Sequence, residues 1–399
     1  KPKLSILNKS SNVFNLLVAC LEKHKTASSS SIPTPLSVTH ISLTPLSISS
    51  ILITFDVMKI IRYITLLAAV AFIVAARTNV DLGEWYAVTV YPLISSGLSF
   101  AVSWIPFSME EILMAGIGII IIAVAIRGIR QRRFKAALTI AEIMIWTIIW
   151  FYFGWGMNYF RESIYSRGEI ERQKYEEETF SNFLHDYADS LNSSYVVMPE
   201  TMKYDDFATD IKGRFENIPV QYGLSEPKSW QKPKNLLLNS LYSAVGVIGY
   251  IGPFFSEIQV NEDILTTQKP FSYAHELSHL LGVSNEDEAN FWAYQLCRHS
   301  EIPEVRYSGY FSLLPYVLSN ASRVMTEDEY KEYQQKIRPE ILQQLIEQQN
   351  FWNSKYSKTL GNIQSRIYDA MLKGNKISSG TKNYMQVIDL IIATEYSCK

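Results

Sequence analysis

The sequence predicts a multi-pass α-helical membrane region in the amino-terminal part, followed by a mostly helical α+β domain that holds a metal. Three observations carry this: uncharged apolar runs confined to the part before residue 160, a basic loop between two of them, and the pentapeptide His275-Glu276-Leu277-Ser278-His279 within a stretch of helical periodicity. The chain has 399 residues, 47% hydrophobic and 19% charged, and the apolar content is unevenly distributed. A net charge of −2 gives neither a basic surface for nucleic acid nor a field to capture a charged substrate.

Residues 1–57 are rich in Ser, Thr and Pro without a sustained period and read as disordered. Met58-Lys59-Ile60-Ile61-Arg62 before an apolar run has the form of an ordinary bacterial amino terminus, so the residues before it are either an upstream extension or a genuine disordered tail. Residues 58–159 form the membrane region, with about three transmembrane helices. The first run, Tyr63 to Ala76, is short for a span unless its flanks join it, and Val74-Ala75-Ala76 offers a signal-peptidase site; either way the following chain goes outward. Ile112 to Ile126 and Ala136 to Tyr159 are the other spans. Between them Arg127, Arg130, Arg132, Arg133 and Lys135 stand without an acid, which makes this loop cytoplasmic and the domain extracytoplasmic, on a bacterial inner membrane. Trp85 to Met109 is also uncharged but carries Pro92, Gly97 and Pro106, and reads as interfacial or re-entrant. Glu142, inside the last span, is expected to snorkel toward the cytoplasmic interface.

Residues 160–399 have the composition of a folded aqueous domain. Phe180, Phe183, Leu184, Tyr187 and Leu191 predict an amphipathic helix over Ile170 to Leu191, with His185 on its surface. Ala244 to Ile251 and Phe254 to Val260 read as strands interrupted at Gly252-Pro253. The apolar stripe Phe271, Ala274, Leu277, Leu280 and Leu281, with Pro270 before it and Gly282 after it, predicts the helix that bears the pentapeptide. A second helix is expected over Glu288 to His299, with Asn285 as N-cap and Glu288 completing a capping box. Thr326 and Glu329 repeat that signal for a long helix to about Trp352. Cys20, Cys297 and Cys398 make no disulfide framework; Cys297 and Cys398 either pair or remain free thiols, with Cys297 on a buried helix face.

The spacing i, i+4 places His275 and His279 on one helix face, where two imidazole nitrogens can reach one ion. Glu276, one step round, stays out of that line and can take a proton from water at the metal. One zinc per chain is expected, and it needs a third protein ligand with one position left open. Glu286 and Glu288 compete for that place, Glu288 lying nearer the level of the histidine pair if the helices run antiparallel. Tyr307, Tyr310 and His299 are the candidates for stabilising an oxyanion. The pentapeptide lies in no apolar run, which argues against chemistry at membrane depth.

HELSH followed by Glu286-Asp287-Glu288-Ala289-Asn290 resembles the gluzincin branch of zinc metallopeptidases, with its HExxH and later E-x-x-A-D. The resemblance implies Glu286 as third ligand and puts Asn290 where that family has an Asp orienting a histidine. HELSHLLGVSN also approaches the metzincin pattern, but Asn285 stands in place of its last ligand, so the likeness is read as a shared turn at Gly282. A broader resemblance, over residues 58–399, is to an uncharacterised bacterial membrane family known as a domain of unknown function. It is carried by Trp155-Gly156-Met157-Asn158-Tyr159, HELSH with EDEANF, and Arg306-Tyr307-Ser308-Gly309-Tyr310. It implies three amino-terminal membrane helices plus an α+β zincin-like metallopeptidase domain, mostly helical, outside the cytoplasm.

The expected function is thus a membrane-anchored zinc peptidase. Its partners would be a peptide or protein substrate and the lipid bilayer, with no nucleic acid; by analogy with zincins, an edge strand upstream of the metal helix would bind the extended peptide. The alternatives are a non-catalytic zinc-binding membrane scaffold or sensor, which has no use for Glu276, and hydrolysis of a non-peptide bond.

Overall fold

Among the described residues, three helices long and apolar enough to cross a membrane, with almost none of their residues buried by protein, dominate the amino-terminal half. The structure, a computed structural model, describes residues 48–132, 134–172, 176–375, 377 and 386–396. Cys20, Cys398 and Arg133 lie outside the described residues, as does most of the stretch 1–57. The first helix, α1, spans Ile48–Thr78, so it takes in residues 48–57, which were expected to be disordered. Ile51, Leu52, Ile53, Phe55 and Val57 continue the apolar run backward without Pro or Gly, which lets the helix start early.

After α1 come α2 (Val80–Trp85), a π-helical turn (Tyr86–Val90) and α3 (Tyr91–Ala101). This stretch, read as interfacial or re-entrant, packs on the rest of the protein. Tyr86 and Tyr91 are fully buried with Trp155, Met157, Tyr159 and Phe160 in a second, smaller core. Gly83 allows the approach, since a Cβ there would meet the Phe160 carbonyl oxygen at 2.5 Å. The other membrane-length helices are α4 (Met109–Arg130) and α5 (Lys135–Gly154). Glu142 of α5 pairs with α1, its Oε1 lying 2.9 Å from Arg62 Nε. A charge in apolar surroundings is less costly with a counter-ion, and Arg62 is the one in reach.

A 3₁₀ turn (Gly156–Phe160) leads from α5 into the larger core, built from α6 (Ile164–Arg167), α7 (Glu177–Ser194), α8 (Ala208–Phe215) and the elements after them. Helix α7 starts later than the expected Ile170; residues 173–175 before it lie outside the described residues. Its Phe180, Phe183, Leu184, Tyr187 and Leu191 are all buried, as their spacing predicts.

The sheet has three short strands, β1 (Pro233–Asn235), β2 (Gly249–Gly252) and β3 (Glu257–Val260), in the order β1-β3-β2. β1 runs parallel to β3, and β2 antiparallel to it with Gly249 opposite Val260 and Ile251 opposite Ile258. Both expected strands are shorter than read: Ala244 and Val245 end a helix, α9 (Asn239–Val245), that stops at Gly246 with φ 76°, and residues 253–256 form the turn between β2 and β3. β1 went unread since Pro-Lys-Asn shows neither alternation nor β propensity.

Helix α10 (Lys269–Leu280), which bears His275 and His279, and α11 (Glu286–Arg298) follow, then α12 (Pro303–Val324). Gly309 lets α12 approach α11, because a Cβ there would meet Cys297 Cβ at 2.7 Å. Cys297 is fully buried at that contact. Thr326 and Glu329 form the capping box that starts α13 (Glu327–Lys336), but the expected long helix breaks there and resumes as α14 (Pro339–Lys355). Pro339 lacks an N–H and drives Arg338 to an extended conformation, φ −53° and ψ 133°. α15 (Lys358–Gly374) and α16 (Val387–Glu395) complete the fold.

The start of α4 is stitched to the sheet. Met109 N and Glu110 N donate to Glu257 Oε2 at 3.0 and 3.2 Å, and Ser108 N donates to the Asn235 carbonyl at 3.0 Å. A β3 carboxylate therefore caps a membrane-length helix.

Candidate metal centre

Pro270 lies in the first turn of α10 and Gly282, with φ 106°, turns the chain after it. His275 and His279 stand one turn apart with ring centroids 4.7 Å apart at 85° and their Nε2 atoms 3.1 Å apart. The Gly282 turn delivers Glu286, the first residue of α11, to the same place: its Oε2 lies 3.2 Å from His275 Nε2 and 3.4 Å from His279 Nε2.

The protons on these rings are fixed by what the other nitrogens face. His279 Nδ1 lies 2.8 Å from the Val283 carbonyl oxygen and His275 Nδ1 lies 2.9 Å from Asn290 Oδ1. Both oxygens only accept, so both Nδ1 atoms donate and both Nε2 lone pairs point into the cluster. Glu286 Oε2 has no partner there besides the two imidazoles. Three facing acceptors are reconciled only by a shared proton or a cation. Two imidazole nitrogens and one carboxylate oxygen within 4.8 Å of one another suit a borderline divalent ion.

Burial works against charge on His279 and Glu286, yet each holds the other ionised: the imidazole is pushed up to about 9, and the carboxyl is held well below the usual carboxylate range. Glu276 differs. Burial pushes its carboxyl up to about 7 against the pull of His275 and His279, and its Oε2 has no hydrogen-bond partner. The carboxylate lies against β2, where Gly249 makes room: a Cβ there would meet Glu276 Oε1 at 2.8 Å.

The cluster opens into a cavity of about 750 Å³. The ends of α5 (Phe151, Trp155), β2 (Tyr250, Ile251), α12 (Tyr316) and α15 (Tyr368) help to line it. Tyr368 Oη donates to Glu286 Oε1, and Trp155 Nε1 donates to the His279 carbonyl at 2.9 Å while its ring meets the His279 edge at 6.1 Å. Tyr91 Oη donates to the Leu280 carbonyl at 2.7 Å. Burial, with Glu286 adding to it, pushes the Tyr316 hydroxyl up to about 12, so it stays a donor.

A family model described as a protein of unknown function, DUF3810, matches residues 86–392. The chain belongs to this family. No curated protein and no solved structure is similar to it. The DUF3810 match takes in α4, α5 and every cavity residue named above, and leaves out α1, which the expected extent from residue 58 had included.

Within this DUF3810 chain the competing glutamates are separated. Glu286 faces the histidines, whereas Glu288 is buried against Arg167, whose Nη2 donates to both its oxygens at 2.6 Å. Trp292 Nε1 donates to Glu288 Oε1 at 3.3 Å. The expected capping box at α11 does not form: Asn285 is the N-cap residue but makes no side-chain cap bond, and Glu288 is drawn to Arg167 instead. Asn290 stands where its resemblance put it, beside His275.

Tyr307, Tyr310 and His299 do not line the cavity. Tyr307 is a core residue donating to Gln344 Oε1 at 2.5 Å, the Tyr310 ring packs on Tyr187 and Tyr294, and His299 caps the end of α11 against the Gln295 carbonyl. Tyrosines that do line the cavity include Tyr159, Tyr316 and Tyr368, and no local pattern marks Tyr368, which is 82 residues from the glutamate it touches. Trp155 carried a signal, the WGMNY segment, which as an aromatic belt pointed to the bilayer instead of to His279.

Proposed function

We propose that the chain is a membrane-anchored zinc-dependent hydrolase that cleaves peptide bonds, with His275, His279 and Glu286 as ligands and Glu276 as general base. The observation that carries the reading is an unpartnered, buried Glu276 carboxylate beside a three-ligand cluster that opens into a large cavity. A structural zinc site is closed by four protein ligands and has no use for such an acid. Zinc, when bound, supplies Lewis acidity toward water and toward the scissile carbonyl oxygen.

The chain's own residues do the rest. Asn290 and the Val283 carbonyl hold the imidazoles in the tautomer that turns both Nε2 atoms inward. Glu276, whose Oε2 has no hydrogen-bond partner, takes the proton of the attacking water and returns it to the leaving amine. Among the cavity hydroxyls, Tyr316 and Tyr368 are the candidate donors for a developing oxyanion, in place of the three residues read from sequence. β2 pairs with β3 on one side only, and Gly249 to Ile251 line the cavity, so its other edge is available to an extended substrate. The basic residues Arg127, Arg130, Arg132 and Lys135, at the far ends of α4 and α5, support a reading in which the domain lies outside the cytoplasm of a bacterial cell.

The test is metal content by mass spectrometry together with hydrolysis of a peptide library by the purified full chain. Glu276→Gln should keep stoichiometric zinc and lose turnover; undiminished hydrolysis by that variant would falsify the mechanism.

A further inference from the structure

Helix α15 presents apolar residues on two faces about a third of a turn apart, with Met371 at their border also lining the cavity. One is turned inward: Leu372 is fully buried, Gly361 fits against the Tyr356 ring, and Tyr368 reaches Glu286. The other is a stripe of Leu360, Ile363, Ile367 and Met371, spaced three, four and four, that stands in the open; Ile363 is 54% and Ile367 67% exposed. Lys358, Arg366 and Lys373 lie on the side away from the stripe, where Lys373 pairs with Asp369, the helix's lone acid, at 2.7 Å. A single exposed leucine needs no explanation, but four aligned on one helix do.

What covers the stripe follows from where the helix is fastened. Arg77 Nη1, at the end of α1, donates to the Gly374 carbonyl at 2.7 Å, and Tyr152 Oη, near the end of α5, donates to Asn375 Oδ1 at 2.9 Å. The end of α15 is thus tied to the ends of two membrane-length helices. α9 packs against α15, and beside it Leu237, Leu238 and Leu241 are about half exposed. The N–H groups of Leu237 and Leu238 donate to the Glu111 carboxylate, in the first turn of α4, at 2.6 and 3.0 Å. An exposed apolar patch is therefore fastened to all three such helices, at their domain ends.

We propose that α15 lies in the surface of the lipid bilayer, with Leu360, Ile363, Ile367 and Met371 among the acyl chains and its basic side at the headgroups, so that a membrane-surface helix forms one wall of the metal cavity. An amphipathic helix with a basic polar side is the form that such binding takes. The attachments select lipid over a second copy of the chain, because they hold the stripe where the hydrocarbon begins. The inference rests on the membrane anchoring in the proposed function and not on its chemistry.

The test uses the full chain in lipid nanodiscs, with Cys20→Ser and Cys398→Ser and the buried Cys297 kept. Single cysteines replacing Ile367, Ile363, Asn362 or Ile119 carry an environment-sensitive fluorophore, and the lipids carry nitroxides either near the headgroup or deep in the chain. Labels at 367 and 363 should shift to the blue and lose most of their emission to the shallow nitroxide, the 362 label far less, and the 119 label, on α4, should respond to the deep one. A dark response at 119 with none at 367 and 363 overturns the inference while leaving the anchoring intact; a change of particle mass in Ile363→Ser/Ile367→Ser would then identify a second copy as the occupant. No response at 119 overturns the anchoring and the inference together. Metal content of the labelled proteins, read in parallel, reports on the site independently.

Discussion

Glu288→Ala separates the two glutamates by a quantity that has nothing to do with metal. The carboxylate and the Arg167 guanidinium are 2% and 5% exposed, and the pair is bidentate at 2.6 Å. Removing one partner of such a pair strands the other charge, which costs about 3–5 kcal/mol. Arg167 would be left near Arg161, with Glu84 the carboxylate that already serves Arg161 at 2.6 Å. For a domain of this size that loss lowers the melting temperature by about 6–20 °C. A helix N-terminus merely deprived of a cap would lose about 1 kcal/mol, which is the smaller effect the sequence suggested. Thermal unfolding of the detergent-purified chain, followed by intrinsic fluorescence, measures this, with zinc content determined on the same sample below the transition. The apolar pair Arg167→Met/Glu288→Leu should recover a large part of the loss, since no charge remains buried alone. Wild-type stability in Glu288→Ala, or zinc lost from it and retained by Glu286→Ala, would refute both the ion pair's role and the ligand assignment.

Glu286→Ala and His275→Ala should each lose stoichiometric zinc at neutral pH; retention by either, measured by mass spectrometry, puts the ion elsewhere. Gly249→Ala should lower turnover with zinc retained, because the new Cβ would press on Glu276 Oε1 at 2.8 Å; unchanged kcat would show that the carboxylate has room to move. Burial works against the Glu84 carboxylate, but Arg161 outweighs it and holds the carboxyl below its usual value. A depressed carboxyl contributes stability that is present above the unfolded value, about 4.3, and is lost as pH falls through the folded one. The melting temperature of the full chain should accordingly fall more steeply below about pH 4.3 than that of Glu84→Gln, and parallel acid limbs would exclude Glu84 as a cause.

The parts of the site that were legible in the sequence are those a single helix or turn determines. His275 and His279 share a face by spacing alone, and Gly282 marks a turn that only a residue tolerant of positive φ makes easily. The choice between Glu286 and Glu288 was not legible from their own turn, because it depends on Arg167, more than a hundred residues earlier, which claims Glu288. Tyr368 and Trp155 were missed for the same reason: each acts through a contact distant in sequence, and each side chain has a ready local explanation. Composition marked the apolar helices well, but the start of α1 and the packing of the stretch 85–109 depend on partners that composition does not name. Pro339 was a readable helix stop that the strong capping signal at Thr326 overshadowed.

The last turn of α10 has a consequence for how the protein can be assembled. Its His279 and Leu280 carbonyls find donors in Trp155 and Tyr91, one following α5 and the other preceding α4. Those donors meet only after the intervening hairpin of two membrane-length helices has closed. A fragment beginning at residue 160 would carry His275, Glu276, His279 and Glu286, yet would leave two carbonyls at the end of α10 without these donors and strip His279 of its indole neighbour. The support of the cluster is therefore shared between distant parts of the sequence: whatever parts α4 from α5 also withdraws two donors from the end of α10.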